Sequence, residues 1–145
     1  MTEPVFVDTN VLVYWLDARD TAKQQRASQW LAELWSTAMG RISFQVLQEF
    51  YVACTHRRDD LRDPVRSEIK NLLAWRPLLI DGSILEHAWK LQDRFRLSFW
   101  DSLIVAAAKA AGCRWLLTED LQAGQKLDGV TVVNPFLTSP GQLPS

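Results

Sequence analysis

Four acids, Asp8, Glu49, Asp101 and Asp120, stand where this chain could do chemistry. Asp8 closes the apolar run Val5-Phe6-Val7, and the amphipathic segment Val11 to Leu16 follows almost at once, so the acid falls at the carboxyl end of a buried strand. Asp120 follows a second such run, Arg114-Trp115-Leu116-Leu117, in Thr118-Glu119-Asp120. Asp101 opens the segment from Ser98 to Ala111, which is apolar almost all round, and Glu49 lies one turn into the helix that starts near Phe44. Carboxylates brought within about 4–6 Å raise one another's pKa at a cost in stability. Four of them without adjacent Lys or Arg imply a hard cation, Mg²⁺ or Mn²⁺, with waters and substrate phosphate among its other ligands. The chemistry that follows is phosphodiester hydrolysis, in which one or two ions orient and acidify water.

Each acid also has a purely local explanation. Asp8 is a fitting N-cap for the segment that follows it. Ser98 and Asp101 are spaced as a capping box. Glu49, with Gln45 and Gln48 as helical neighbours, fits a solvated surface glutamate, and Asp120 could serve the donors of a turn. The functional reading rests on all four meeting, and only the fold can arrange that.

The elements that would position them read as alternating strands and helices. Strands are expected at Val5–Val7, Arg41–Ser43, Leu78–Ile80, Arg114–Leu117 and Val130–Val133, nearly free of polar residues, which implies a parallel sheet covered by helices on both faces. Between them lie a helix N-capped by Thr21 and ended by Gly40, one from Phe44 to about Arg57, and one from Asp63-Pro64 to Trp75. Ser83 and Glu86 are spaced as a capping box for a helix reaching Phe95, and a buried helix follows from Ser98 to Ala111. Residues 1–137 are read as one domain and 138–145 as a flexible tail. The 145 residues carry a net charge of −1, so bulk charge does not decide for or against nucleic acid. Two cysteines without a C-x-x-C pair read as buried free thiols, and two isolated histidines make no zinc motif. No apolar stretch reaches 18 residues and no signal segment is visible, so a cytoplasmic location is expected.

Val7-Asp8-Thr9-Asn10-Val11-Leu12, Gln48-Glu49-Phe50-Tyr51, Leu97 to Ile104 around Trp100-Asp101, and Leu117-Thr118-Glu119-Asp120-Leu121, closed by Val133-Asn134-Pro135-Phe136, together resemble a PIN-domain ribonuclease of the VapC type, the toxin of bacterial toxin–antitoxin pairs. The resemblance implies a three-layer α/β/α fold with a five-stranded parallel sheet of order 3-2-1-4-5. It further implies endonucleolytic, Mg²⁺- or Mn²⁺-dependent cleavage of RNA, a homodimer, and a cognate antitoxin. Asp8, Asp101 and Asp120 fall on the family's metal ligands, Glu49 on its helical acid, and Asn10 and Thr118 on accompanying polar positions. Glu119 is left outside the ligand set.

Arg57, Arg58, Arg94 and Arg96 are candidate RNA contacts, against the simpler reading of solvated charge near helix ends. Trp30, Trp35, Trp75 and Trp89 fit core or interface packing, whereas Trp100 abuts Asp101. Three alternatives compete: a phospho-acceptor receiver module, which wants a Lys where Asn134-Pro135 stands; an aspartyl-phosphate phosphatase, which wants an Asp where Asn10 stands; and an inactive PIN-like RNA-binding or scaffold domain.

Overall fold

The computed structural model describes residues 1–143. Its centre is β1 (Val5–Val7), three β-branched or aromatic residues with no exposed surface, flanked in parallel by β2 (Gly40–Arg41) and β3 (Trp115–Leu117). Val5 to Val7 pair residue for residue with Trp115 to Leu117, and Trp115 to Leu117 with Thr131 to Val133 of β5 (Val130–Val133). The helices are α1 (Thr9–Leu16), α2 (Thr21–Thr37), α3 (Phe44–Thr55), α4 (Arg62–Leu72), α5 (Gly82–Phe95) and α6 (Phe99–Ala110). The α6 face from Ser102 to Ala108 is buried throughout, as its sequence requires of a helix laid inside the structure. The chain leaves β1 toward β2 on one side and later crosses to β3 on the other. The carboxyl ends of β1 and β3 thus flank the point where the winding reverses, the place where open α/β sheets put their ligands.

With β4 at Lys126–Leu127, the sheet order, β2-β1-β3-β5-β4, keeps the anticipated sequence of paired strands but corrects both edges. Leu78–Ile80 contributes one parallel bridge, Leu78 to Ser43, in place of a strand, because Pro77 precedes it and Asp81 already caps α5. The other edge is not parallel: β4 (Lys126–Leu127) pairs antiparallel with β5 across Asp128-Gly129, both at positive φ (52° and 85°), the geometry that Asp-Gly favours in a two-residue hairpin. His87 Nε2, 2.8 Å from Asp128 Oδ2, and Lys109 Nζ, donating to Asp128 O at 2.8 Å, hold that turn against α5 and α6.

Local chemistry moves several boundaries. The α2 N-cap is Asp20, whose side chain accepts from Lys23 N, in preference to Thr21. Asp81, and not Ser83, caps α5 by accepting from Ile84 N. The left-handed residue that ends α2 is Ala38, while Gly40 sits inside β2, where an added Cβ would overlap the Trp75 indole. Trp75 in turn meets Trp35 with ring centres 5.2 Å apart. After α4 the chain tightens into a 3₁₀ turn, Leu73–Trp75. Cys54 and Cys113 are buried free thiols, pushed up to about 11 and about 12 by desolvation. Of the expected tail, Thr138 O accepts from Trp30 Nε1 at 2.9 Å and Pro140–Gln142 form a 3₁₀ turn, while residues 144–145 lie outside the described residues.

Candidate active site

Asp8 is both things its position allowed. It is the N-cap of α1, with Oδ1 accepting from Thr9 N at 2.7 Å, and its second oxygen turns across the sheet edge to accept from Thr118 Oγ1 at 2.9 Å. Only 5% of its surface is exposed. Burial is the main cause that pushes its pKa up to about 7; the bonds from Thr9 and Thr118 oppose it, and the charges of Asp120 and Glu49 reinforce it.

Thr118, one residue past β3, organises the link to Asp120. Its hydroxyl donates to Asp8 and accepts from Asn10 Nδ2 at 2.9 Å and from Asp120 N at 3.0 Å, which uses its one proton and both lone pairs. Asn10 Nδ2 also donates to Asp120 Oδ2 at 3.1 Å and approaches Asp8 Oδ2 at 3.4 Å, while Asn10 Oδ1 accepts from Glu119 N. Asn10 is thus a neutral clamp between two carboxylates.

Glu49 reaches the same edge from α3. Thr9 Oγ1 donates to its Oε2 at 2.9 Å and Gln45 Nε2 to its Oε1 at 2.7 Å. The sequence shows Gln45 as a helical neighbour one turn before Glu49, which is the spacing of this bond; it gives no sign of Thr9, because that contact is made by tertiary folding. Asp101 stands in the first turn of α6, its backbone N–H bonded to the Ser98 hydroxyl that caps the helix. Partial burial raises its pKa; the Ser98 bond opposes this, and the charges of Asp120 and Glu49 add to the rise. The charges of Asp120 and Glu49 therefore bear on both Asp8 and Asp101.

Among the described residues none of these four forms a salt bridge. Glu119 differs: Lys23 Nζ lies 2.8 Å from its Oε2 and 4.5 Å from the centre of the Tyr14 ring. That pairing takes Glu119 out of the acidic set. The donors are all carboxylate, hydroxyl and amide oxygens, as a hard cation prefers. No group of three or more His, Cys, Asp or Glu among the described residues is drawn together tightly enough to hold a metal as it stands. Mg²⁺ needs only one or two direct carboxylates and keeps several waters, so the residues fit the ion in kind and number.

The candidate RNA-contact arginines are dispersed. Arg57 and Arg58 follow α3 and line a cavity of about 350 Å³ with Arg19 and His56, although Arg58 is paired with Asp60 at 3.1 Å. Arg94 packs over the Phe95 ring and Arg96 is the left-handed C-cap of α5.

The family model of the PIN domain matches residues 5–126, a span that holds all four acids. Among solved structures the fold resembles that of a toxin–antitoxin complex from Klebsiella pneumoniae, with a TM-score of 0.61 at 20% identity over 90% of this chain and 97% of that one. No curated protein matches the chain. With a doubly wound sheet, a carboxylate-bearing switch point and a family match over most of its length, the chain belongs to the PIN-domain family.

Proposed function

We propose that the protein is a Mg²⁺- or Mn²⁺-dependent endoribonuclease that acts as the toxin of a toxin–antitoxin pair. The observation that carries the nuclease reading is the gathering of Asp8, Glu49, Asp101 and Asp120 near one sheet edge without a balancing cation, in a family whose members are generally nucleases. Asp8, Asp101 and Asp120 would hold one or two divalent ions, which supply Lewis acidity toward the phosphoryl oxygen and acidify the attacking water. Thr118 and Asn10 hold the Asp8 and Asp120 carboxylates in place before any ligand arrives. Thr9 and Gln45 fix the Glu49 carboxylate, leaving each oxygen a free lone pair with which to orient, and take a proton from, a water. Arg57, Arg58, Arg94 and Arg96 would contact flanking phosphates. The toxin role and the antitoxin partner are supported by likeness in fold to a toxin–antitoxin complex, while a homodimer is what the sequence resemblance implies and a cytoplasmic location is what the sequence leads one to expect.

The test is cleavage of structured RNA by the purified protein and its Asp8→Asn variant in Mg²⁺, Mn²⁺ or EDTA. Cleavage that needs the metal and Asp8 is the expected result, and cleavage indifferent to either sinks the mechanism. For the toxin role, expression should arrest growth of a bacterial host, and a small reading frame next to its own should relieve the arrest.

A further inference from the structure

We propose that the cleft between α3 and α6 beside the acids is a subsite for one nucleobase of the RNA strand, stacked on the Trp100 indole. This rests on the nuclease reading. Trp100 is 62% exposed, an unusual state for so large an apolar ring, and it is joined by a peptide bond to Asp101. Phe99 meets it edge-on, with centres 5.2 Å apart and planes at 71°, which limits the ring's freedom to turn. The ring lines a cavity of about 480 Å³ together with Gln45, Gln48, Glu49, Val52 and Ala53. One continuous space therefore joins an aromatic face to the acidic site.

The lining selects the occupant. Its residues offer an aromatic face, two small aliphatic groups, two amides and a carboxylate, with no cation. A phosphate would meet Glu49 with nothing to neutralise it. A protein segment or lipid tail sealed over the cleft would desolvate Glu49 without a counter-charge and strand the amides. A nucleobase brings a flat face for the indole and N–H donors at its rim for amide and carboxylate oxygens. The Gln45 amide is held with its nitrogen on Glu49, so its buried Oε1 is left without a hydrogen-bond partner in a residue that lines the cleft. Ala53 also lines the neighbouring cavity that holds Arg57, so a strand with one base on Trp100 has a cationic residue ahead of it for a following phosphate.

The experiment uses an oligoribonucleotide and a series in which one abasic ribonucleotide is walked across the cleavage site, cut in Mg²⁺ by the unmodified protein, Trp100→Ala and Trp100→Phe. Trp100→Ala should melt at nearly the unmodified temperature and lose about tenfold in kcat/KM, mainly through KM, with Trp100→Phe recovering most of it. One abasic position should cost the unmodified protein the same factor and cost Trp100→Ala nothing more. The subsite is overturned if Trp100→Ala cleaves normally, if the abasic losses add in full to its own at every position, or if its loss tracks a changed oligomeric state in size-exclusion chromatography, which would make Trp100 a protein contact. An unmodified protein that cuts no RNA in either metal overturns the nuclease reading and the subsite with it, a result distinct from intact cleavage indifferent to Trp100.

Discussion

The two halves of the acidic site are built by opposite rules. On the strand side, Asp8, Asn10, Thr118 and Asp120 are cross-linked by hydrogen bonds between groups more than 100 residues apart in sequence, and the Thr118 hydroxyl has no bonding capacity left. On the helix side, Glu49 and Asp101 stand beside an open cleft, an exposed tryptophan and an amide oxygen with no partner. The first half is complete before a ligand arrives, and the second leaves room for one. Under the proposed function, a site that positions a cation and accepts many strands would be well served by that division, since rigid groups position and open surface adapts.

Removing the charge at the centre of the rigid half should have the largest effect. If Asp8 holds the ion as proposed, Asp8→Asn should lower metal-dependent RNA cleavage by at least about 10³-fold. The same change should stabilise the metal-free protein. Because the folded protein holds the Asp8 proton up to about pH 7 and the unfolded chain releases it near 3.8, the contribution of Asp8 to stability is most favourable below pH 3.8, falls as pH rises to about 7, and is level above that. The penalty at pH 8 is at most about 4 kcal/mol. Urea unfolding in EDTA should show Asp8→Asn more stable than the parent at pH 8 and the gap closing toward pH 5. A gap independent of pH would mean that Asp8 is not held protonated by its surroundings.

Thr118→Val tests whether the strand side acts as a unit. The substitution nearly preserves shape but takes one donor from Asp8 and the acceptor from both Asn10 Nδ2 and Asp120 N. Buried donors left unpaired cost about 1–3 kcal/mol, and misoriented ligands typically cost 10–100-fold in metal affinity or activity. Denaturant midpoint and cleavage rate should both fall, and a variant equal to its parent in both would dissolve the contrast between the halves.

What the sequence disclosed follows the same line. Asp8 and Asp120 were legible because each ends an apolar run, and strand ends in a parallel sheet share an edge. Asp101 was placed by its position at the start of the buried helix and Glu49 by lying one turn into the helix after the second strand, although a helical acid with polar neighbours such as Gln45 and Gln48 looks, taken singly, like any solvated one. Thr9 was illegible, because its bond to Glu49 spans 40 positions. The fold erred at its margins, where strands are too short to carry a period. Leu78–Ile80 looked apolar enough to pair, yet Pro77 and the Asp81 cap leave one residue free to bridge. Asp128-Gly129 carried the hairpin signal in plain form, but Lys126-Leu127 is too short to show alternation, so the antiparallel edge was missed.

The smallest expected effect concerns the boundary between the acidic site and its surroundings. Glu119 neighbours Asp120 but is neutralised by Lys23, whose ammonium also lies over the Tyr14 and Phe136 rings. Lys23→Met keeps most of the apolar stem and frees the carboxylate. The ion pair is partly exposed, so its loss should cost no more than about 1 kcal/mol of stability. A fifth uncompensated charge beside Asp120 should attract cations more strongly, so half-maximal cleavage should need a few-fold less Mg²⁺. Adding Glu119→Gln to Lys23→Met removes the freed charge and should return the Mg²⁺ requirement to that of the parent, because the two residues then act only through each other. If the double variant keeps the single variant's shifted requirement, Lys23 acts on the site directly and the acidic set has to be drawn to include it.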